Sequence, residues 1–169
     1  MSAERQQRKP GQRAFLAPIG LVLLLLAGLV PVPSSRAATT ERIVVDPNRG
    51  VALSGFDPVA YFTDAKPLVG REDVELRFAG ATWRFRNEGN RAAFLENPEV
   101  YLPVFGGYDP VAVTRGVATP GHPQIWLVTG ERLYLFYNAD ARKAFAAAPA
   151  AVMAEANNKW RDVLLTIVP

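Results

Sequence analysis

Apolar and polar positions alternate in four short stretches of this chain, and the stretches come in two pairs. VELRF and ATWRF form the first pair on either side of Ala79-Gly80, and QIWLVTG and RLYLFY form the second around Thr129-Gly130. Alternation over this length is typical of strands with one buried face, and a break that contains Gly is typical of a hairpin turn. The pattern therefore predicts two β-hairpins built from half-buried strands.

A short helix is predicted after each hairpin. Each helix follows an Asn suited to the N-cap, carries a Phe that faces inward, and ends at a Pro. These residues are Asn87, Phe94 and Pro98 in the first copy, and Asn138, Phe145 and Pro149 in the second. A last helix is predicted from about Ala150 to Leu165, with Met153, Trp160 and Leu164 facing inward.

The two hairpin-helix segments repeat each other. Six positions agree at a constant offset of 51, and the pairs run from Trp83 and Tyr134 to Pro98 and Pro149. The phrases GFDPVAYF at Gly55 and GYDPVAVT at Gly107 agree at an offset of 52. A unit of about fifty residues is therefore duplicated, in half-repeats of about 54–103 and 106–150. The predicted fold class is α+β: two β-hairpin-plus-short-helix units packed into one small domain, with a C-terminal helix.

The first 37 residues have the layout of a secretory signal peptide. Basic residues precede an apolar run from 15 to 32, and Ser35-Arg36-Ala37 offers small residues for cleavage. An uncleaved membrane anchor is the alternative, because the run is nearly long enough to span a bilayer. The predicted organisation is a signal peptide at 1–37, a linker at 38–50 and a domain at 51–169, in the periplasm or secreted. With an uncleaved anchor, the domain would face the periplasm from the inner membrane.

Export changes the interpretation of charge. The full chain has a net charge of +3, from 19 Lys and Arg against 16 Asp and Glu. Residues 1–37 hold five of those cations and one of those anions, so the remainder has 14 against 15, a net charge of −1. The remaining Arg and Lys are scattered among acids, which argues against a nucleic-acid partner. The sequence also contains no Cys, so neither disulfide nor thiol chemistry is available.

Several of these stretches together resemble the YHS domain family, and in particular its exported members. FRNEGNRAAFLENPEVY matches the family pattern Phe-Cys-x-x-x-Cys-x-x-x-Phe-x-x-Asn/Asp-Pro-x-x-Tyr apart from the two cysteines. SGFDPVAYF, NPEVYLPVFGGY and LYLFYN are similar to stretches of the exported branch. The resemblance runs from about Val51 to Trp160 and implies a small metal-associated or ligand-binding module.

The positions that carry sulfur or selenium in the family are substituted here. The resemblance places thiolate ligands of the metal-binding branch at Ala60, Arg86 and Asn90, and a cysteine or selenocysteine of the exported branch at Asp109. Soft metals held by thiolates need those sulfur atoms. The thiolate site, and any thiol or selenol redox role, is therefore predicted to be lost.

Asp57 and Asp109 occupy the same place in the repeated phrase. As a functional pair, they would bind a cation or polarise a ligand. As local structure, an Asp followed by a Pro is a good N-cap, with the Pro at the first helical position. The duplication favours the N-cap interpretation, because both copies inherit the same local geometry.

Two further sets of residues are candidates for ligand binding. The aromatic residues either line a pocket or form the core shared by the two units; they are Tyr61, Trp83, Tyr101, Phe105, Tyr108, Trp126 and Tyr134. Arg84 and Arg86 form either a solvated strand face or an anion site. The predicted ligand-binding residues are Asp57, Tyr61, Arg86, Tyr101, Tyr108 and Asp109.

His122 is the only histidine, in the loop sequence TPGHPQ. It is either solvent-facing or, with Asp57 and Asp109, part of a metal site made of oxygen and nitrogen ligands. A single His cannot supply a usual zinc site, and no Gly-x-Ser-x-Gly stretch, phosphate loop or dinucleotide fingerprint occurs. No catalytic residue is predicted, and no cofactor is firmly implied beyond a metal ion held in this way.

The sequence thus predicts an exported, non-catalytic YHS-type module that has lost its thiolate site. Its partner is an unknown small ligand or an envelope protein. The alternatives are a metal- or redox-associated accessory protein of the bacterial envelope, against which Asp109 argues for redox chemistry, and a structural partner in an envelope complex. Contact with a membrane is expected only through the N-terminal segment if that segment is not cleaved.

Overall fold

A computed structural model describes residues 42–167, so the predicted signal peptide lies outside the described residues. The first repeat, here called unit 1, comprises residues 53–101. A tight turn at Leu53–Gly55 leads into helix α1, and the remaining elements follow in the order of the chain. They are α1 (Ala60–Thr63), β1 (Arg71–Phe78), β2 (Ala81–Phe85), α2 (Glu88–Glu96) and α3 (Pro98–Tyr101).

The second repeat, unit 2, comprises residues 104–147 and has the same order of elements. A tight turn at Val104–Gly107 precedes α4 (Pro110–Val113), β3 (His122–Thr129), β4 (Arg132–Phe136) and α5 (Ala139–Ala147). Helix α6 (Pro149–Ile167) then ends the described chain. The α+β fold class predicted from the sequence is confirmed.

The duplication extends to the hydrogen-bond register of the two antiparallel hairpins. Arg71 pairs with Phe85 in unit 1, and His122 pairs with Phe136 at the same place in unit 2. Each hairpin also has a bulge directly after that pair. In both units the turn before the hairpin is tied to the start of the hairpin, by Gly70 N–H to Gly55 O at 2.8 Å and by Gly121 N–H to Gly107 O at 2.9 Å.

The hairpin turns contain residues with positive φ, as tight two-residue turns require. Ala79 and Gly80 have φ of 50° and 79°, and Gly130 and Glu131 have φ of 54° and 57°. The second turn therefore lies one residue later than the predicted Thr129-Gly130. Thr129 is still paired with Arg132 in the ladder, which moves the turn onto the next residue.

The predicted helix signals are confirmed. The side chains of Asn87 and Asn138 accept hydrogen bonds from the third residue of α2 and of α5, both at 2.8 Å. Pro98 and Pro149 follow the ends of these helices, and each also begins the next helix. The last helix is slightly longer than predicted, because it starts at Pro149, which suits the first turn of a helix, and continues to Ile167.

The two units share their interior. Leu133 and Leu135 of β4 pack with the buried residues of unit 1, among them Trp83 and Phe94. The other face of β4 packs with Phe145 and with Trp160 and Val163 of α6. Strand β4 is therefore buried on both faces, and the prediction that it is half-buried was wrong, because the pattern of one strand does not show how many layers cover it.

Candidate functional site

Asp57 is fully buried, and both of its carboxylate oxygens are used within the protein. Oδ1 accepts a hydrogen bond from Val59 N–H at 2.8 Å. Oδ2 accepts one from the backbone N–H of Arg86 at 2.8 Å and one from the side-chain amide of Asn90 at 2.6 Å. The carboxylate thus joins the first turn of unit 1 to the junction between β2 and α2.

Asp109 does the same in unit 2 and is 2% exposed. Its Oδ1 accepts hydrogen bonds from Val111 N–H and Ala112 N–H, and its Oδ2 accepts one from Tyr137 N–H at 3.0 Å. The N-cap interpretation is confirmed for Asp109, with Pro110 in the first turn of α4. For Asp57 it is wrong in detail, because α1 begins one residue later in the phrase and its N-cap is Val59.

The resemblance to the YHS family drew attention to Ala60, Arg86 and Asn90. The structure brings two of these three positions to Asp57, through the Arg86 backbone and the Asn90 side chain. Ala60 is fully buried in α1. A hydrogen-bonded carboxylate therefore organises this region, and the sequence analysis did not pair Asp57 with Asn90.

The arginine pair of β2 is divided by the fold. Arg84 is partly buried and is held by Glu75 at 2.8 Å and Glu72 at 2.9 Å, so acidic neighbours already balance its charge. These ion pairs favour the charged form and raise the pKa of Arg84. Arg86 is exposed and takes part in none of the ion pairs described within residues 42–167.

The predicted aromatic candidates are mostly core residues. The Tyr61 hydroxyl is buried and donates to the carbonyl of Pro123 at 2.9 Å, which links unit 1 to unit 2. Burial, with a smaller effect of the Asp57 charge, raises the pKa of Tyr61. Tyr101 and Tyr108 are half-buried and contact Phe62 and Trp160 edge-on or tilted. Burial also raises the pKa of Tyr108.

His122 is exposed at the start of β3. Its Nδ1 accepts a hydrogen bond from the backbone N–H of Gln124 at 3.2 Å. A ring nitrogen that accepts a hydrogen bond carries no proton, so in the neutral imidazole the proton lies on Nε2. That N–H is left as a donor to a ligand.

His122 lines a cavity of about 340 Å³, here called the His122 cavity. The wall consists of residues 44–47, the Leu53–Ser54 turn, residues 120–123, Leu135 and Tyr137. Unit 1, unit 2 and the segment that precedes them therefore all contribute. Of the predicted site residues, only His122 lines this cavity, and the sequence analysis missed Ser54 and Tyr137.

Each of these segments is held in place by contacts in the structure. Val44 N–H donates to Gly106 O at 2.8 Å, and Asp46 N–H donates to Val51 O at 2.9 Å. Gly121 lies so close to β4 that a Cβ atom there would be 2.5 Å from the Cβ of Leu135. The backbone of Tyr137 is bound by the buried Asp109. The cavity is therefore largely pre-formed, as ligand sites usually are.

The cavity gathers Ser54, Asp46 and His122, but not as a nucleophilic triad. In a triad the imidazole Nδ1 donates to the acid, whereas here Nδ1 accepts from Gln124 N–H. The Asp46 carboxylate accepts from Asn48 N–H and Arg49 N–H, and these hydrogen bonds lower its pKa. The arrangement is suited to binding rather than to acyl transfer.

The predicted metal ligands Asp57, Asp109 and His122 do not come together. Within residues 42–167, no group of three or more His, Cys, Asp or Glu side chains is placed to hold a metal ion. In the same range, no helix is both long and apolar enough to cross a bilayer. Comparison with known protein families, curated proteins and solved structures found no match to this chain.

Proposed function

We propose that this protein is an exported, non-catalytic binding module of the YHS type, and that it holds a small ligand in the His122 cavity. The observation that carries the proposal is the cavity itself. A volume of about 340 Å³ lies within the range of small-molecule sites. The family and export assignments rest on the sequence motifs and on the layout of residues 1–37.

The lining of the cavity suits a ligand with an apolar body and a hydrogen-bonding group. Val44, Leu53 and Leu135 supply apolar surface. His122 and Tyr137 supply an N–H and an O–H that are accessible, since both residues are exposed. A few polar groups placed in an apolar wall fix the orientation of a ligand.

A strained turn supports a functional role for this wall. Leu53 and Ser54 both have φ of 52°, which costs about 1–2 kcal/mol for each residue that is not Gly. At the equivalent of Ser54, unit 2 has Gly106, which adopts φ of 63° without that cost. Strain kept at the wall of a cavity is typical of ligand sites. The hydroxyl of Ser54 offers a reason to keep it.

The test is a screen of small aromatic and aliphatic fragments against the mature chain, followed by NMR of the His122 and Tyr137 side chains. We expect saturable shifts that weaken about tenfold in His122→Ala, where one hydrogen bond is lost. Gln124→Ala is the matched control, since it lies on the same strand, keeps its backbone N–H and does not line the cavity. Ser54→Phe should fill the cavity and abolish binding.

Two results would overturn the proposal. One is that no fragment shifts these resonances. The other is binding that is unchanged in both His122→Ala and Ser54→Phe, which would place the ligand elsewhere. Both variants must melt as cooperatively as the unsubstituted chain for the comparison to hold.

A metal-associated role is the second candidate, because Asp46, His122 and Tyr137 bring oxygen and nitrogen donors to one cavity. Copper(II) is the metal to titrate first, because such sites bind it most tightly among common divalent ions. Stoichiometric copper binding that is lost in His122→Ala would favour this candidate over the first. The export assignment has its own test: sequencing the N-terminus of the exported protein should show Ala38 as the first residue.

A further inference from the structure

A second cavity, of about 290 Å³, lies between the turn at Val104–Gly107, strand β4 and helix α6. It is here called the Arg132 cavity. Its polar lining consists of Arg132, Tyr134, Asn157 and Trp160, and every one of these side chains can donate a hydrogen bond. No Asp or Glu lines it. None of its lining residues lines the His122 cavity, so the two cavities are separate.

Two of these donors have no partner within the protein. Arg132 is exposed and takes part in none of the ion pairs formed within residues 42–167. Trp160 is 9% exposed, and its Nε1 is the one buried side-chain nitrogen or oxygen in the described chain without a hydrogen-bond partner. Buried N–H groups nearly always have a partner, so this one calls for an explanation.

The remaining wall is apolar. Val104, Phe105 and Met153 line the cavity beside the Trp160 ring, and the Phe105 and Trp160 ring centroids lie 4.9 Å apart. Met is flexible and polarizable, which lets it adjust to the shape of a ligand. The cavity thus combines an apolar wall with donors and lacks acidic groups.

Comparison of the two units shows that these polar groups are not inherited from the repeat. Arg132 stands where unit 1 has Ala81, which is 1% exposed. Tyr134 stands where unit 1 has Trp83, whose Nε1 donates to the carbonyl of Phe78 at 3.0 Å. The helix that follows α5 has 19 residues, whereas the equivalent helix of unit 1 has four, so Asn157 and Trp160 have no counterparts.

We infer that the Arg132 cavity binds a small carboxylic acid in its anionic form, with the carboxylate on Arg132 and Asn157 and the apolar body against Phe105, Met153 and Trp160. A guanidinium matches a carboxylate in both charge and geometry. A neutral amide of the same shape would lose the charge-assisted part of this interaction. The inference does not depend on the function of the His122 cavity.

The experiment is an NMR titration of the mature chain with three probes: benzoate, phenylacetate and hexanoate. The chain has three Trp residues, so the Trp160 indole N–H signal is assigned by its loss in Trp160→Phe. We expect at least one probe to shift that signal saturably. Benzamide should bind about tenfold more weakly than benzoate, or worse, because it carries no charge.

Arg132→Gln should weaken the carboxylate by about tenfold or more, and Asn157→Ala should weaken it to a smaller extent. Arg77→Gln is the matched control, because Arg77 is an exposed hairpin arginine opposite Thr82, as Arg132 is opposite Thr129. His122→Ala should leave carboxylate binding unchanged. Thermal melts of the four variants verify that each is folded.

The inference is wrong if none of the three acids shifts the Trp160 indole signal saturably. It is also wrong if benzamide binds as tightly as benzoate, or if Arg132→Gln has no more effect than Arg77→Gln. Loss of binding in a folded His122→Ala variant would place the carboxylate in the other cavity and overturn it as well. Failure of the fragment screen at His122 would leave this result unaffected.

Discussion

Asp57 binds the backbone N–H of Arg86 at 2.8 Å, across 29 residues of chain. The same carboxylate holds the first turn of unit 1 through Val59 N–H. In unit 2, Asp109 joins Val111 N–H to Tyr137 N–H in the same way. The repeated Gly-aromatic-Asp-Pro phrase thus encodes a tertiary connection as well as a turn, which explains why both copies retain an Asp in a buried position.

Asp57→Ala should lower the free energy of unfolding by about 3 kcal/mol, because three N–H donors lose their acceptor in the interior. Urea denaturation measures this. Asp46→Ala is a suitable control, since its carboxylate also accepts from two turn N–H groups but at the surface, and it should cost about 1 kcal/mol. Equal costs for the two variants would contradict the tertiary role assigned to Asp57.

Asn90→Ala should have an intermediate effect, of about 1–2 kcal/mol, because only the donor at 2.6 Å from Asp57 is removed. Unit 2 has Ala141 at this position, so the variant gives unit 1 the pattern that unit 2 already tolerates. A double-mutant cycle with Asp57→Ala should show strong coupling between the two residues. Additive effects would mean that the contact contributes nothing to stability.

Tyr61 should make the protein sensitive to alkaline pH. Burial raises the pKa of its phenol in the folded state above its usual value of 10.0. The folded state then keeps a proton that the unfolded chain releases, so stability is complete below about pH 10 and falls by up to about 1.4 kcal/mol per pH unit above it. Unfolding free energies between about pH 9 and pH 11.5 measure this slope.

Tyr61→Phe should flatten that alkaline decline by one proton, while costing about 1 kcal/mol at neutral pH through loss of the hydrogen bond to Pro123. Tyr137→Phe is the control, since Tyr137 is 62% exposed and its substitution should leave the slope unchanged. An identical alkaline slope in Tyr61→Phe and the unsubstituted protein would refute the prediction.

Gly70→Ala and Gly121→Ala should each destabilise the protein by about 1–3 kcal/mol through overpacking. A Cβ at Gly70 would lie 2.5 Å from the carbonyl carbon of Arg84, and one at Gly121 would lie 2.5 Å from the Cβ of Leu135. Gly80→Ala is the comparison: it has open space around it and only a positive φ, so about 1 kcal/mol is expected. Thermal melts or urea titrations that rank Gly80→Ala as the most harmful would contradict this account.

Asn87→Ala and Asn138→Ala should each cost about 1 kcal/mol, because each removes the acceptor of an N-cap hydrogen bond. Asn87→Asp should restore most of the loss, since Asp is an equally good cap. If Asn87→Ala and Asn87→Asp are equally unstable in urea, a contact other than the cap accounts for the effect.

Local features of the fold were predictable from the sequence because each depends on a few neighbouring residues. The N-caps at Asn87 and Asn138, the inward-facing Phe94 and Phe145 and the hairpin pairing follow from side-chain chemistry and periodicity at short range. The offset of the hairpin turn by one residue shows the limit of that approach. Both Thr129 and Gly130 suit a turn, and cross-strand pairing decides between them.

The two cavities were not predictable in the same way. The His122 cavity joins residues 44–47, the Leu53–Ser54 turn and residues 120–123, which are far apart in the chain. The Arg132 cavity depends on α6 crossing the end of β4. The sequence analysis selected the buried Asp57 and Tyr61 because the repeated phrase made them conspicuous, whereas Ser54, Tyr137 and Asn157 stand in no recognisable motif.

The sequence by itself determined the duplicated unit, its hairpins and helices, and the α+β class, because these depend on periodicity, caps and turns that act over a few residues. The tertiary structure alone decided that Asp57 and Asp109 are buried anchors, that β4 is covered on both faces, and that His122 and Arg132 each open onto a cavity. Burial and cavities arise where separate segments meet. That meeting is set by how the two units and the last helix pack, and no local pattern carries it.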